Sequence, residues 1–413
     1  FMAFLIYRKV DVLWVLLAAS AAVLILFRVS PLDYLSALAD PCGSFLPKAA
    51  ELVVLVYLIN LLGMLMRGAG MEGTLVSGLE AAFGDKRVMA AFSPMTMGLL
   101  PMPGGALLSA SMVDMTLHDV GDGGHKSAIN MWFRHVWELV DPLYPGIILS
   151  SQILAVSFAD LAFANWSMFW AMILAGSLLL LRRVEHTRRM SGISRPAGLL
   201  RVFHVLLPIA VAFAVTLLDR AAHDTPFRWL TGPLPGVIAG VVVAVLLWKV
   251  KIRGVPAAAK KAFEWKMLLV VVFALMLATG IRVSGAVEGM RLDFHRCNMP
   301  VILVIAVLPF LTGFLTGVTV AFVSMSMPVV AALTASSSAG LLAGFSVAYT
   351  MGFLGVLFSP VHLCILLSAK RFDTDLAATY RWMLPPGVFL VLVLVLQVLA
   401  VTFGPGFFHG LFR

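Results

Sequence analysis

The stretch Gly98-Leu-Leu-Pro-Met-Pro-Gly-Gly-Ala-Leu-Leu-Ser-Ala-Ser-Met112 is apolar enough to lie in a membrane, yet Pro101, Pro103 and the Gly104-Gly105 pair sit in its middle. Proline cannot continue a helix, and paired glycines free the backbone for a tight turn. Amides left unpaired by such a break cannot face hydrocarbon. They survive at membrane depth only inside protein or against a wet cavity. The stretch therefore predicts a re-entrant hairpin: a helix in, a turn near the midplane and a helix back.

A bilayer is the right solvent to argue from, because 61% of the 413 residues are hydrophobic and 12% are charged, a balance outside the soluble classes. The formal net charge of +9 is then assigned to Lys and Arg in cytoplasmic loops, and no nucleic-acid partner is expected. The three cysteines form no C-x-x-C and no Cys/His cluster at metal spacing, so neither a metal nor another cofactor is predicted.

A second copy of the stretch lies 215 positions on, at Gly313-Phe-Leu-Thr-Gly-Val-Thr-Val-Ala-Phe-Val-Ser-Met-Ser-Met327. The same offset pairs Arg67 with Arg282, Gly70 with Gly285 and Pro145 with Pro360. Self-similarity at one offset marks an internal repeat. Runs long enough to span lie near 12–27, 50–66, 161–181, 202–218, 231–248, 267–284 and 384–402. Hairpins are predicted at about 88–117 and 299–333, and broken helices at about 127–157 and 340–368.

Charge sets the orientation. Loops 182–201 and 249–266 are strongly basic and belong in the cytoplasm. Counting from them puts the N-terminus inside and the two hairpins on opposite sides. The expected fold is an all-α integral membrane protein of two inverted-topology repeats, 11–182 and 226–402, joined by a linking helix at 202–218. Inverted repeats with broken helices are an architecture of secondary transporters.

The first broken helix contains Arg134, His135, Glu138 and Asp141 before Pro142, Pro145 and Gly146, and its counterpart carries Ser359, Pro360 and His362. Helix ends at a break present free amides and a positive dipole end, which suit an anion. With Pro103, Gly104, Gly105 and Ser109 of the first hairpin and Thr312, Thr316 and Thr319 of the second, they make the predicted substrate-binding set. Each hydroxyl has the alternative of bonding its own helix. Glu138 and Asp141, three apart, share a helix face. Two readings stand for them. One is a proton carrier or coupling-cation ligand assisted by Arg134 and His135; the other is an Arg134–Glu138 ion pair with Asp141 capping the break. His362 can titrate, donate to substrate or simply pack. Cys364 is expected to be a packing residue, and Cys42 and Cys297 are both expected outside, where a disulfide is conceivable.

Trp132-Phe-Arg-His-Val-Trp-Glu138, Leu143-Tyr-Pro-Gly146, Pro101-Met-Pro-Gly-Gly-Ala106 and Ser359-Pro-Val-His-Leu-Cys364 resemble a bacterial and archaeal family of multi-spanning proteins known only as a domain of unknown function. That family is grouped with the ion transporter superfamily, alongside gluconate permeases, citrate and dicarboxylate carriers and arsenite permeases. The resemblance implies inverted repeats, a location in the cytoplasmic membrane and a homodimer moving a transport part as an elevator. The Ser-Asn-Thr sodium signatures of the dicarboxylate carriers are absent from the hairpin turns, which favours protons over sodium as the coupling ion. The expected function is secondary transport of a small anion, with an organic carboxylate first. An anion channel is the nearest alternative. An intramembrane enzyme is disfavoured by the lack of H-E-x-x-H and G-x-S-x-G motifs.

Overall fold

The computed structural model describes residues 10, 12–39, 45–99, 105–186, 192–218, 232–248, 254–285, 300–334 and 338–403. In the first half the α-helices are α1 (Val12–Leu26), α2 (Pro31–Ala39), α3 (Phe45–Gly68), α4 (Met71–Phe83), α5 (Lys86–Gly98), α6 (Gly105–Thr116), α7 (Gly123–Arg134), α8 (Pro145–Leu154), α9 (Phe158–Ala164) and α10 (Trp166–Leu179). They are followed by α11 (Arg195–Leu217), α12 (Pro233–Leu247), α13 (Val255–Ala262), α14 (Trp265–Val283), α15 (Val301–Thr316), α16 (Thr319–Thr334), α17 (Ser338–Leu357), α18 (Leu363–Arg371) and α19 (Leu376–Phe403). Among the described residues there is no strand.

Among the described residues five helices are long and apolar enough to cross a membrane: those at 45–68, 195–217, 265–283, 340–357 and 376–400. A sixth span results if α8 and α9, bent by 110° at their junction, count as one. This is the pattern of a multi-pass membrane protein.

Local chemistry explains the boundaries. Asp85 caps α5 by accepting from the amides of Arg87 and Val88, and Asp122 caps α7 by accepting from His125. Ser157 caps α9 in the same way. Between α15 and α16 the chain reverses at Gly317, with φ of 63°, the left-handed conformation in which glycine carries no penalty.

Three boundaries differ from the sequence reading. The run predicted at 161–181 is divided at Asn165, whose side chain donates to the Leu139 carbonyl. The linking helix begins at Arg195, because Pro196 falls in its first turn where its missing N–H costs nothing. The basic loop 249–266 contains α13. Cys42 and Cys297 lie outside the described residues.

Packing crosses between the halves. In the first, α5 and α6 pack on each other and on α7; in the second, α15 and α16 pack on each other and on α17. The helix after each break then packs on the other half: α8 against α16, and α18 against α6. A core cluster of buried residues from α3, α5, α7, α8, α10, α14, α16 and α17 surrounds these crossings. A second cluster gathers α3, α4, α11, α12 and α13.

Polar groups collect at the ends of α6, α7, α18 and α19. Asp114 pairs with Lys126 at 3.0 Å and with Arg371 at 2.9 Å. Lys86 donates to both carboxylate oxygens of Asp119, and that bond holds the exposed acid below its ordinary pKa.

Candidate functional site

The first break starts where α7 loses its helical geometry at His135 (φ −98°, ψ 4°). A single 3-10 turn, Val136–Leu139, follows. Asp141 then accepts from the Leu143 amide at 2.8 Å, and Pro145 opens α8. Arg134, His135, Glu138 and Asp141 are all buried. A break of this length is held by its neighbours: Trp132 donates to the Met172 carbonyl at 2.8 Å and Asn165 to that of Leu139 at 3.0 Å. One Asp141 oxygen, Oδ2, is buried with no hydrogen-bond partner.

The second break is shorter, running from Phe358 to His362 between α17 and α18. It closes on the turn of the α15–α16 pair. A Cβ on Gly317 would lie 2.9 Å from the His362 amide and 3.0 Å from the Ser359 hydroxyl, so only glycine lets the turn approach. His362 Nδ1 donates to the Gly317 carbonyl at 2.8 Å. Both helix starts here, α8 and α18, lack a side-chain cap.

The two breaks and the Gly317 turn meet in one buried cluster. Thr319, the first residue of α16, donates to Glu138 Oε2 at 3.2 Å. Glu138 Oε1 is 3.6 Å from His135 Nε2, and that nitrogen is 3.3 Å from His362 Nε2. The Cys364 thiol joins the two imidazoles, with all three ligating atoms within 4.8 Å of one another. On the other side of Thr319, a Cβ on Gly146 would meet the Thr319 methyl at 2.5 Å and the Tyr349 hydroxyl at 2.6 Å. That hydroxyl is buried and has no hydrogen-bond partner.

Of the residues predicted from the sequence, His135, Glu138, Pro145, Gly146, Thr319, Ser359 and His362 line this region, and Asp141 lies in the break beside it. Others go elsewhere. The hydroxyls of Ser109, Thr312 and Thr316 donate to carbonyls of their own helices. Pro360 is exposed. Arg134 does not pair with Glu138: it donates to the Met97 carbonyl at 3.2 Å, and its guanidinium lies over Gly105, where a Cβ would come within 2.6 Å of Nη2. The basic neighbour of Glu138 is His135. Pro103 and Gly104 fall outside the described residues.

Cys364, expected to pack, and Tyr349 and Gly317, not singled out, belong to the cluster. The S-P-x-H-x-C run sets Cys364 two residues past His362, but a local motif does not show the site, because its other imidazole comes from residue 135. A cleft of about 370 Å³ lies apart from this cluster, between Glu80, Lys86, Met112 and Asp119, with the partnerless hydroxyl of Ser93 on its wall.

A family model described as a protein of unknown function, DUF401, matches residues 2–402. No curated protein sequence matches the chain. The fold is similar to the crystal structure of the Alcanivorax borkumensis YdaH transporter, described as having an unusual topology. That likeness has a TM-score of 0.64 at 15% identity and covers 95% of this chain and 99% of the other.

Proposed function

We propose that this chain, which belongs to the DUF401 family, is a secondary transporter of a small anion, with organic carboxylates as its substrate class and protons as its coupling ion. The observation that carries the reading is the meeting of two helix starts, α8 at Pro145-Gly146 and α16 at Thr319, beside the partnerless Tyr349 hydroxyl. Helix N-termini present unpaired amides and a positive dipole end, and a free hydroxyl adds a donor. Such irregular backbone is tolerable at membrane depth only where it serves a cavity or is enclosed by protein.

The coupling proton is assigned to Asp141. Glu138 is engaged by Thr319 and His135, whereas Asp141 keeps an oxygen free inside the protein. Ionisable groups buried in spanning segments are costly and mark pathways. In this reading the α5–α6 and α15–α16 pairs are re-entrant hairpins of two inverted repeats, and a rigid movement of the hairpin-bearing part alternates access. The fold shared with a solved transporter supports the reading, as does the wealth of apolar helices. A place in the ion transporter superfamily, the cytoplasmic membrane as location and a homodimer are parts of the same proposal.

The test is thermal unfolding of the purified protein against a panel of small anions at two pH values, with and without sodium. An anion at 100 times its Kd stabilises by about 2.7 kcal/mol. One carboxylate class should raise the midpoint, and Tyr349→Phe should shrink that shift. In proteoliposomes, Asp141→Asn should abolish uptake driven by a pH gradient while the protein stays folded. No stabilising carboxylate at either pH, or undiminished pH-driven uptake in the Asp141 variant, would overturn the respective assignment.

A further inference from the structure

His135, His362 and Cys364 come from opposite ends of the chain, and their local hydrogen bonds decide what lies between them. His135 Nδ1 is 2.6 Å from the Met131 carbonyl, and His362 Nδ1 is 2.8 Å from the Gly317 carbonyl. A carbonyl only accepts, so both Nδ1 atoms carry their hydrogens. In the neutral rings both Nε2 atoms then present lone pairs, and these two atoms face each other at 3.3 Å. Two lone pairs at that distance repel unless a cation sits between them. The surroundings make this costly to leave unmet, since the exposures of His135, Glu138 and His362 are 3%, 4% and 9%.

The donors around the gap say which cation. The Cys364 sulfur completes a set of two imidazoles and one thiol whose ligating atoms lie within 4.8 Å of one another, and Glu138 Oε1 stands beside it, 3.6 Å from His135 Nε2. With zinc–nitrogen bonds of about 2.0–2.1 Å, a tetrahedral site separates neighbouring nitrogens by about 3.3 Å. The imidazole pair already has that spacing. Imidazole held by an Nδ1–H···O=C bond is the usual arrangement behind a metal, because it fixes the tautomer and the ring plane. Mixed nitrogen and sulfur ligation selects zinc-like borderline ions over magnesium or calcium.

We propose that His135, His362 and Cys364 form a three-ligand binding site for a divalent transition ion of the zinc type, with the Glu138 carboxylate next to His135. It ties the first break to the start of α18, and through Gly317 and Thr319 to the turn of α15 and α16. The site borders the helix starts of the transport reading, yet its test is independent of that reading, because it needs neither an anion nor a gradient.

The experiment uses the full-length protein, purified and stripped with a chelator, and titrates it with Co²⁺ and then Zn²⁺. Co²⁺ should bind one per chain and produce the near-ultraviolet thiolate-to-cobalt band, which Zn²⁺ should then abolish. Zn²⁺ should also raise the unfolding midpoint. Cys364→Ser should lose the band, and its Zn²⁺ affinity should fall by about 100-fold or more, since losing a supporting second-layer group alone costs about 10–100-fold. Absence of the band and of Zn²⁺ stabilisation in the unsubstituted protein would overturn the proposal and leave a proton shared by the imidazoles. So would Zn²⁺ stabilisation that persists undiminished in Cys364→Ser. The cobalt spectrum of the unsubstituted protein decides the matter even if the variant folds poorly. Because no anion or gradient enters these measurements, their failure leaves the transport assignment standing, and the reverse holds as well.

Discussion

The break between α7 and α8 and the break between α17 and α18 sit at corresponding places, Pro145 and Pro360 being 215 residues apart, yet their chemistry is divided between them. Glu138 and Asp141 correspond to Phe353 and Val356, which are 0% and 1% exposed. In return His362 and Cys364 correspond to Ile147 and Leu149, both fully buried. The acids belong to one half, the second imidazole and the thiol to the other, and the cluster exists only where the two interlock. The two breaks share the offset of their prolines and differ in their acids, imidazole and thiol, so the frame they share bears on packing and the contents they do not share on chemistry.

The frame can be tested where it is tightest. A Cβ on Gly98 would lie 1.9 Å from the Arg134 carbonyl oxygen, and one on Gly313, its counterpart, 2.2 Å from that of Gly352. In both cases a helix crosses the backbone of α7 or α17, so no side chain can yield. Overpacking costs about 1–3 kcal/mol and occasionally more. Gly98→Ala and Gly313→Ala are each expected at or beyond the top of that range, read from denaturant or thermal unfolding. Equal losses would support a common frame. Tolerance of one and not the other would break the comparison at its base.

The unequal contents predict a somewhat smaller effect. Val356→Asp would copy Asp141 into the second break, where no polar environment has been built for it. A buried polar group without partners costs about 1–3 kcal/mol in proteins, and a charged one more. The variant is expected to lose about 2 kcal/mol of stability at neutral pH and to recover part of it in acid, where the carboxyl is neutral. Stability equal to that of the unsubstituted protein would mean that the second break already accommodates an acid, and the division of labour would fail.

Much of the frame was legible because proline and glycine act locally. Helices α5 and α6 fall at 86–98 and 105–116, around the Pro101–Gly105 interruption, and α15 and α16 meet at Gly317. Pro94 and Pro309 also share the 215 offset, and each lies buried inside the first helix of its pair. The contents were legible by type and not by direction. Buried acids in an apolar chain drew attention to Glu138 and Asp141, but nothing local to Arg134 says that it turns towards Met97 and Gly105. Nor does local sequence bring Cys364 to His135, a meeting made by α18 packing on α6 and α7. Asn165 divides an apolar run and donates to the Leu139 carbonyl in the first break, a partner no local pattern names.

The hydroxyls of the second pair show this limit at its sharpest, and they carry the smallest predicted effect. Thr312, Thr316 and Thr319 look equivalent in the sequence, spaced as they are around one turn. Thr312 donates to the Leu308 and Pro309 carbonyls of its own helix, a bond that does little for a helix and slightly disfavours it. Thr319 donates across the halves to Glu138. Thr312→Val should therefore change stability by no more than about 0.5 kcal/mol. Thr319→Val should cost about 0.5–1.5 kcal/mol, and up to about 3 if its partner is ionised. Measured in the Glu138→Gln background, the Thr319 effect should shrink while that of Thr312 does not, because only the first is coupled to the acid. Equal behaviour of the two threonines in both backgrounds would detach the α15–α16 turn from Glu138 and leave the cluster without one of its links between the halves.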